Sequence, residues 1–568
     1  MKRFLILALV LLLAACGRDS DPAETATAVS PAAQRAETTA AAAVDAALAA
    51  DLLARIDADT AMLWLSLEPM PEALMNRVWS SLAGLTDDED FDDFSSEIED
   101  PLLLALAREF MTLTTPESYA ERGLDPNGLF AAHLISIFPA MHWQLSDADA
   151  FQATLARIEN EAGTEFERRN LDGAEIIWAA ADGFGVALHH DAHFLSAALV
   201  EDREDLLRRV ANIDPAERPM QRSQVDSFAS QRGLLLDSIG FVNFQRLLGL
   251  LLDGEEDLLV QLRNDTQLGQ VAETAACRVE LGQLTRLFPL KSFGTYALSD
   301  TSISMKTTLE SEPAFGNRLG ALANSPVALE QPDGGLMAMG IALNLVAARD
   351  FGRQLVGGWV EAPPQCFLFD NIAQNAASWQ LALNRPIPPL VTNIHGARIN
   401  ITGISMGDGD QPEMAGTLAL FMRNPQMLIG MAQMFSPELA GLDLRAGGSP
   451  QPVPQELLPQ LQGMPAWLGL SDTGLGLAVG AGQDAALPAA LTAGNADSAI
   501  LSFGMDFSAY SELLAMGLAN LPGQGAEFDA DEASEAMAVW ASLFRRMAGS
   551  LHLSEKGIEM RLSFDLAD

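Results

Sequence analysis

The sequence of 568 residues predicts an α+β fold made of two tandem, related lobes. Each lobe is predicted to hold a mainly antiparallel sheet with amphipathic helices packed on one face. Three observations lead to this prediction. Short alternating segments outnumber helical ones, tight turns join most of them, and the order of segments repeats across the two halves of the chain. The length agrees with it, because a chain of this size exceeds what a single hydrophobic core supports.

The clearest repeat is a β-hairpin that occurs midway along the chain and again near its end. Leu298–Glu310 and Leu553–Asp565 both alternate apolar and polar residues on either side of a polar turn. An amphipathic helix is predicted before each hairpin, ending at Phe288 in the first half and at Met547 in the second. The hairpins therefore mark equivalent points of the two lobes.

Further elements match in the same order. Asn243 and Asp506 both stand where a strand ends and a helix needs an N-cap acceptor. We therefore predict lobes at 51–312 and 330–568. The other matching pairs are the strand-to-helix units Met62–Leu82 and Met337–Val356, the units that begin at Trp143 and Leu418, and the hairpin regions Trp178–Val200 and Trp467–Gly480.

The first fifteen residues have the pattern of a secretory signal peptide. Lys2 and Arg3 form the positive region, Phe4–Leu12 the apolar core, and Leu13–Cys16 the end of the segment. Such a short apolar stretch does not span about 30 Å of hydrocarbon. One interpretation of the segment is an ordinary signal peptide, or a short anchor, that happens to contain a cysteine. The segment resembles a bacterial lipoprotein signal. In that family the thiol of Cys16 receives a diacylglycerol and becomes the mature N-terminus, which implies a membrane anchor.

Residues 16–50 are predicted to be the lipidated cysteine and a flexible tether, because they contain almost no large apolar side chain. The alanine-rich part from Ala40 to Arg55 could become helical. The lipoprotein resemblance also bears on location: Gly17, rather than Asp, follows the cysteine, which favours the outer membrane, facing the periplasm. The mature body resembles uncharacterised proteobacterial envelope lipoproteins of similar strand–helix–hairpin layout, and that resemblance implies no activity and no functional residues.

The chain is strongly acidic, with 76 acidic against 34 basic residues and a formal charge of −42. Such a field repels phosphate backbones, which argues against nucleic-acid binding. Solubility is the simpler explanation of the charge, and a cationic partner is the alternative.

Two cysteines remain once Cys16 carries a lipid. In an exported protein Cys277 and Cys366 are expected to form a disulfide. Two buried free thiols are the alternative. Since Cys277 falls late in the first predicted lobe and Cys366 early in the second, such a bridge would join the lobes.

Three motifs have the spacing of functional sites but a different predicted context. Ser405 lies in a G-x-S-x-G pattern, yet turn residues follow it where a nucleophile elbow needs a helix, so we predict a strand of a β-hairpin. The glycines at 474 and 476 lack dinucleotide-loop spacing, so we predict a strand. His189, His190 and His193 are weak candidates for metal ligands, and a solvated hairpin turn is the simpler prediction.

Two compositional clusters complete the candidates. The acidic stretch from Asp87 to Asp100 lacks the glycine and the terminal glutamate of an EF-hand loop, so a solvated loop is expected. Met427, Met431 and Met434 share one helix face. We expect that face to belong to the core, and the alternative is an apolar groove for a lipid or peptide.

We expect a non-enzymatic envelope lipoprotein with a binding or assembly role, because no catalytic motif has the context that its chemistry needs. A carrier or sensor of apolar ligands is the alternative, and an envelope hydrolase whose site forms only on folding is the lesser one. The expected partners are a membrane, through the lipid on Cys16, and either envelope proteins or an apolar ligand. No cofactor is expected, and the ligand-binding residues and oligomeric state stay open.

Overall fold

The structure is a computed structural model. It describes residues 46–82, 98, 100–111, 113, 115–181, 184–323, 335–406, 412–435, 437–461, 463–492, 498–507, 541 and 543–567. Within those ranges, no helix has the length and apolar character needed to cross a bilayer.

The chain divides into two units. The first unit comprises Met1–Glu273, Pro289–Met305 and Leu566–Asp568, and the second comprises Thr274–Phe288 and Lys306–Asp565. Both units combine helices with antiparallel strands, so the α+β class is confirmed.

The strands of the first unit follow one continuous order of hydrogen-bonded neighbours, β4–β5–β6–β7–β3–β2–β1–β8–β9, in which every pair is antiparallel. Their bounds are β1 Met62–Ser66, β2 Phe130–Ile135, β3 Phe138–Gln144, β4 Glu167–Leu171, β5 Ala174–Ala181, β6 Phe184–His190, β7 Phe194–Glu201, β8 Ile239–Asn243 and β9 Leu290–Ser299; β10, Ser302–Glu310, spans the boundary between the units.

Helices cover both faces of the first sheet, so the prediction of helices on a single face is wrong for this unit. One face packs on α3 and α5, and the other packs on α1, α6 and α7. The central strands β2, β3, β6 and β7 are mostly apolar and buried on both faces, so neither face can remain in water. The helices are α1 46–54, α2 Glu72–Leu82, α3 Pro101–Met111, α4 Pro116–Glu121, α5 Ala148–Ala162, α6 Glu204–Val210, α7 Arg222–Arg232, α8 Phe244–Asp253, α9 Asp257–Asp265 and α10 Gln267–Glu273.

The folded body begins earlier than predicted. Residues 46–50, assigned to the flexible tether, belong to α1, and Ala49 is buried beside Leu52, Leu53 and Ile56. The alanine-rich sequence forms a helix here because its few large apolar side chains fall on one face.

Local signals place other elements as predicted. The carboxylate of Asp147 accepts hydrogen bonds from the backbone N–H groups of Asp149 and Ala150, which caps α5. The amide oxygen of Asn243 accepts a bond from Arg246 N–H and caps α8, the helix expected after β8.

The strands of the second unit follow the order β14–β15–β16–β13–β12–β11–β17–β18, again with antiparallel pairs. The first unit has the equivalent order β5–β6–β7–β3–β2–β1–β8–β9. The strands of the second unit are β11 Met337–Ala342, β12 Ile394–Met406, β13 Pro412–Met422, β14 Gln451–Pro452, β15 Ala466–Leu470, β16 Gly474–Val479, β17 Ala499–Asp506, β18 Phe544–Ser554 and β19 Gly557–Leu566, the last ending just beyond the unit's boundary.

The predicted end of this helix at Met547 is wrong: residues 541 and 543 are helical, but β18 already begins at Phe544 and Met547 pairs with Met505 of β17. Pairing with a neighbouring strand overrides the local helical pattern at these residues. The second unit's helices are α11 Ala275–Leu287, α12 Pro313–Gly320, α13 Leu345–Glu361, α14 Asp370–Leu383, α15 Pro389–Thr392, α16 Pro425–Phe435, α17 Pro437–Ala440 and α18 Leu487–Ala490.

Candidate functional site

One face of the second unit's sheet is apolar and partly exposed to solvent. Along β11, large apolar residues alternate with Ala and Gly, and the large side chains point to this face. We call it the open face. It consists of Met337, Met339 and Ile341 of β11, Ala397, Ile399 and Ile401 of β12, Leu418 and Leu420 of β13, Leu475 and Leu477 of β16, Leu468 of β15, and Leu501, Phe503 and Met505 of β17.

The open face differs sharply from the opposite face of the same sheet. Met339 is 49% exposed and Ile399 42%, whereas Ala419 and Ala478 on the opposite face are buried beneath Leu487 of α18. None of the fourteen side chains of the open face is charged. A contiguous apolar surface of this kind is a candidate binding surface.

The register of the strands identifies the equivalent face in the first unit. Met339 pairs with Ile399, which pairs with Leu418, then Leu477, then Leu468. In the first unit the corresponding row across β1, β2, β3, β7 and β6 is Trp64, Ala132, Met141, Ala197 and Leu188.

That equivalent row in the first unit is covered. Its members belong to the core cluster under α3 and α5, where Leu103, Leu106 and Phe110 of α3 and Phe151 and Leu155 of α5 are buried. The two units thus use the same strand register, but the described part of the second unit leaves exposed the face that the first unit buries.

The methionines of α16 do not form a core face, so that expectation is wrong. The helix buries Pro425 and Ile429, but Met427 is 50% exposed and Met434 75% exposed. The helix contains no charged residue. It is the equivalent in chain order of α5, which buries a full apolar stripe.

The first unit contains an apolar cavity of about 150 Å³ between α7 and the strands β1 and β8. Gln224 is the polar side chain in a lining that is otherwise mostly aliphatic or aromatic. An apolar pocket of this volume has room for a benzene-sized group. Its main lining residues are Leu63, Leu65, Val225, Phe228, Ile239 and Phe241.

A chain of buried polar side chains crosses the first sheet between two apolar clusters. The Arg55 guanidinium donates to Ser196 Oγ at 3.4 Å, and Ser196 Oγ lies 2.8 Å from His142 Nδ1. His142 Nε2 lies 3.1 Å from His133 Nε2. The guanidinium donates to the serine hydroxyl, and of the two histidine Nε2 atoms one donates and the other accepts; the tautomer of His142 sets the direction of its bond with Ser196. Asp191 holds Arg55 at 2.6 Å.

The contact between the two Nε2 atoms requires that at least one imidazole be neutral. Burial lowers the pKa of His133 to about 4, and the nearby Arg209 guanidinium acts in the same direction. Burial, together with His133 and Arg55, also lowers the pKa of His142 well below its usual value. Ser196 is fully buried, so the chain of hydrogen bonds has no access to a substrate and stabilises the fold.

The Cys277–Cys366 disulfide is present in the structure, with its sulfur atoms 2.01 Å apart. Both cysteines belong to the second unit, because Thr274–Phe288 is part of it, so the bridge lies within that unit and does not join the two units. Glu280, one turn after Cys277 on α11, accepts hydrogen bonds from Gln365 N–H at 2.7 Å and Cys366 N–H at 3.1 Å. The disulfide and this carboxylate together fix the segment that follows α13.

The histidine cluster forms the β6–β7 hairpin, as predicted. His189 donates from Nδ1 to the Glu175 carbonyl at 2.8 Å, and His190 Nε2 lies 2.7 Å from Gln152 Oε1. His193 lies in the exposed turn. Across the described ranges, no three His, Cys, Asp or Glu side chains are placed to hold a metal ion.

The remaining candidates lie in strands or outside the described part. Ser405 lies in β12 and the glycines at 474 and 476 in β16, so both strand predictions are confirmed. Of the acidic stretch, Asp100 is described; its carboxylate caps α3 by accepting from Leu102 and Leu103 N–H. Cys16 and the acidic residues from Asp87 to Asp93 lie outside the described residues.

Sequence reasoning missed both the open face and the buried histidines. The signal for the open face is the alternation Met-Ala-Met-Gly-Ile-Ala along β11, since small residues face the covering helix and large ones face outward. His133 and His142 stand at single positions of otherwise apolar strands, a pattern that does not indicate their contact.

No family model and no curated protein matches the chain. Among solved structures, "Structure of crystal form III of TP0453" aligns with 49% of this chain and 89% of that chain, at 9% identity and a TM-score of 0.24. "Structure of crystal form I of TP0453" aligns with 45% and 77% of the two chains, at 10% identity and a TM-score of 0.23. Similarity at this level carries no inference about fold or activity.

Proposed function

We propose that this protein is a non-enzymatic envelope lipoprotein that binds a partner through the open face of its second unit. The observation that carries the proposal is the open face itself, a charge-free apolar surface in a chain of net charge −42. A soluble acidic domain gains nothing from leaving such a surface in water, whereas a binding protein needs it.

The anchor is the diacylglycerol on Cys16. The described body starts at residue 46, so about 29 residues separate it from the lipid. As a flexible coil, that length reaches roughly 30 Å from the membrane surface. Gly17 after the cysteine favours the outer membrane, with the body in the periplasm.

The two units are proposed to be tandem related lobes that arose by duplication. The shared order of neighbouring strands and the matching register support this relationship. Asp147 and Asn424 stand at equivalent positions before the helices that follow β3 and β13. Helices stand at the equivalent chain positions in the second unit, α14 before β12 and α16 after β13, so a different packing of these helices after duplication explains how one copy exposes the face that the other buries.

A binding role agrees with the position of the buried polar groups. The histidines with the strongest pKa shifts, His133 and His142, are enclosed with Ser196 in the core of the first unit. A catalytic group must reach its substrate, and these do not.

A carrier of small apolar ligands is the second candidate, favoured by the cavity between α7 and β1/β8. Its volume of about 150 Å³ accommodates a group of the size of a benzene ring but not a whole lipid. The cavity therefore supports a narrower role than the open face does.

The proposal is tested by isolating complexes from native envelopes. The lipidated parent is compared with Cys16→Ala, with Ile399→Asp and with Leu381→Asp; Leu381 is an exposed residue of α14 outside the open face. We expect metabolic labelling of the parent with a palmitate analogue and loss of the label in Cys16→Ala. We also expect one set of proteins to be recovered with the parent and Leu381→Asp but lost with Ile399→Asp. Recovery that is identical for all four forms, or an unlabelled parent, would contradict the proposal.

A further inference from the structure

We infer that the apolar cavity between α7 and the strands β1 and β8 binds an uncharged compound with a single aromatic ring that bears a hydrogen-bond acceptor. We call this site the α7 cavity. The inference rests on the second candidate function, a carrier of small apolar ligands, and names the class of ligand. Since the α7 cavity shares no residue with the open face, the binding of a partner at the open face is tested independently.

The floor of the α7 cavity is apolar and enclosed. Leu63 and Leu65 of β1, Val225 of α7 and Ile239 of β8 line it, and all four side chains are buried. The volume of about 150 Å³ matches one six-membered ring. None of the described residues that line the cavity is charged, and a charged group buried without a partner is costly. The part of the ligand that enters is therefore uncharged.

Two phenylalanine rings lie at the mouth of the α7 cavity. Phe228 of α7 and Phe241 of β8 are half-buried, and their ring centroids lie 5.5 Å apart with the ring planes inclined by 50°. The Arg232 guanidinium lies 3.8 Å from the centroid of the Phe228 ring, a cation–π contact that holds this ring in place. An aromatic guest gains edge-to-face or offset ring contacts here that a saturated ring of the same size does not make. The lining therefore favours an aromatic ring.

Gln224 supplies a hydrogen-bond donor at the mouth. Its side chain is exposed and lines the α7 cavity, and its Oε1 accepts the backbone N–H of Gln221 at 2.8 Å, at the start of α7. That bond fixes which end of the amide group faces the helix start, so Nε2 remains to donate to a ligand. A carbonyl oxygen attached to the bound ring accepts this bond without entering the apolar floor.

Three probes separate the ring from the acceptor. Acetophenone has both, isopropenylbenzene carries a CH₂ group in place of the carbonyl oxygen, and cyclohexyl methyl ketone has a saturated ring in place of the aromatic one. Binding of each probe to the mature chain with Cys16→Ala, which needs no detergent, is measured by saturation-transfer NMR titration.

The variants alter either the space or the donor. Ala58 lines the α7 cavity and is half-buried, so Ala58→Phe and the milder Ala58→Leu fill it, and Ala58→Ser is the matched control that leaves it open. Gln224→Glu keeps an acceptor for the Gln221 N–H and removes the donor to the ligand. Circular dichroism and thermal unfolding verify that each variant is folded. If Ala58→Phe does not fold, Ala58→Leu decides the outcome.

We expect saturable binding of acetophenone to the parent, with a dissociation constant of about 1 mM or below. Isopropenylbenzene is expected to bind about two- to tenfold more weakly, because it lacks the hydrogen bond, and Gln224→Glu is expected to remove this difference. Cyclohexyl methyl ketone is expected to bind about twofold or more weakly than acetophenone. Ala58→Phe should weaken acetophenone binding by about tenfold or more, and Ala58→Ser should leave it unchanged.

The outcomes separate the ligand class from the carrier role. No saturable binding of any probe to the parent, or binding that Ala58→Phe and Ala58→Leu leave unchanged, would overturn the inference and the carrier role with it. Cyclohexyl methyl ketone that binds as tightly as acetophenone, and is lost in the filled variants, would retain the carrier role and overturn the aromatic class. Equal binding of acetophenone and isopropenylbenzene to the parent would overturn the role of Gln224 as the donor.

Discussion

The buried pair His133–His142 predicts that the first unit loses stability when the pH falls from 7 to 5. The folded state holds His133 neutral down to about pH 4, whereas the unfolded chain protonates it near pH 6.5. Protons therefore bind the unfolded state preferentially in this window, and the free energy of unfolding decreases as the pH falls. His142 acts in the same direction because its pKa is lowered as well.

The magnitude follows from the interval between the unfolded pKa and the working pH. A pH of 5 lies about 1.5 units below the pKa of His133 in the unfolded chain. Protonation of the unfolded state therefore lowers the free energy of unfolding by about 2 kcal/mol relative to pH 7. The ion-paired Asp57 and Asp191 do not contribute in this window. Their pKa values lie below the usual 3.8, despite burial, because Arg209 and Arg55 respectively hydrogen-bond to them.

The assay is urea unfolding at pH 7 and pH 5, followed by a brief hydrogen-exchange pulse at one fixed pH and mass spectrometry of peptides from 130–144. The double variant His133→Phe/His142→Phe is expected to lose most of the pH dependence, and His193→Gln, in the exposed turn, to retain it. An equal urea midpoint at both pH values in the parent, or an unchanged slope in the double variant, would refute the reasoning.

Three further predictions concern a helix cap, an ion pair and the disulfide, which stabilise the two units. Replacing Asp147 with alanine removes the acceptor for two N–H groups at the start of α5 and should lower the free energy of unfolding of the first unit by about 1 kcal/mol in urea titration; an unchanged value would exclude the cap. Arg55→Met removes the donor to the buried Ser196 hydroxyl and leaves the half-buried Asp191 carboxylate without its guanidinium, which should cost about 1–3 kcal/mol, whereas Asp51→Asn, at the exposed end of the network, should cost under about 1 kcal/mol; equal losses would contradict this assignment. Cys277→Ser/Cys366→Ser opens a loop spanning 89 positions and should destabilise the second unit by up to about 4–5 kcal/mol, as should reduction of the parent; the argument fails if the oxidised and reduced proteins unfold at the same urea concentration.

Local sequence signals predicted the elements of this fold well where a cap or a turn fixes them. Asp147 and Asn243 mark helix starts through hydrogen bonds that depend on neighbouring residues alone. The hairpin around His190 is equally local, because a polar turn joins two apolar strands. The order of these helices and strands along the chain could therefore be predicted without knowledge of how they pack.

The features that the sequence did not predict depend on contacts between elements that are distant in the chain. Helices cover both faces of the first sheet, and strand composition alone does not state which helix takes which face. The sequence Phe544–Met547 has a helical pattern but belongs to β18, in which Arg546 and Met547 pair with Asp506 and Met505 of β17. Cys277 belongs to the second unit because its helix, α11, is part of that unit, although the segments before and after α11 in the sequence belong to the first unit.

The candidate site was the least predictable part. The methionines of α16 were expected in the core because methionine fills apolar gaps, and their exposure depends on what the sheet leaves uncovered. The open face becomes recognisable only when the strand registers of the two units are compared, since each of its strands alone resembles an ordinary half-buried strand.

Photocrosslinking in intact cells tests the central claim, that the open face is the binding surface, most directly. A benzophenone amino acid is placed at Met339 on the open face or, as the control, at Val279 of α11, which is similarly exposed. The account predicts a discrete ultraviolet-dependent crosslink to another protein from position 339 and none from position 279. The same crosslinks from both positions, or none from position 339 in a lipidated and folded protein, would contradict it.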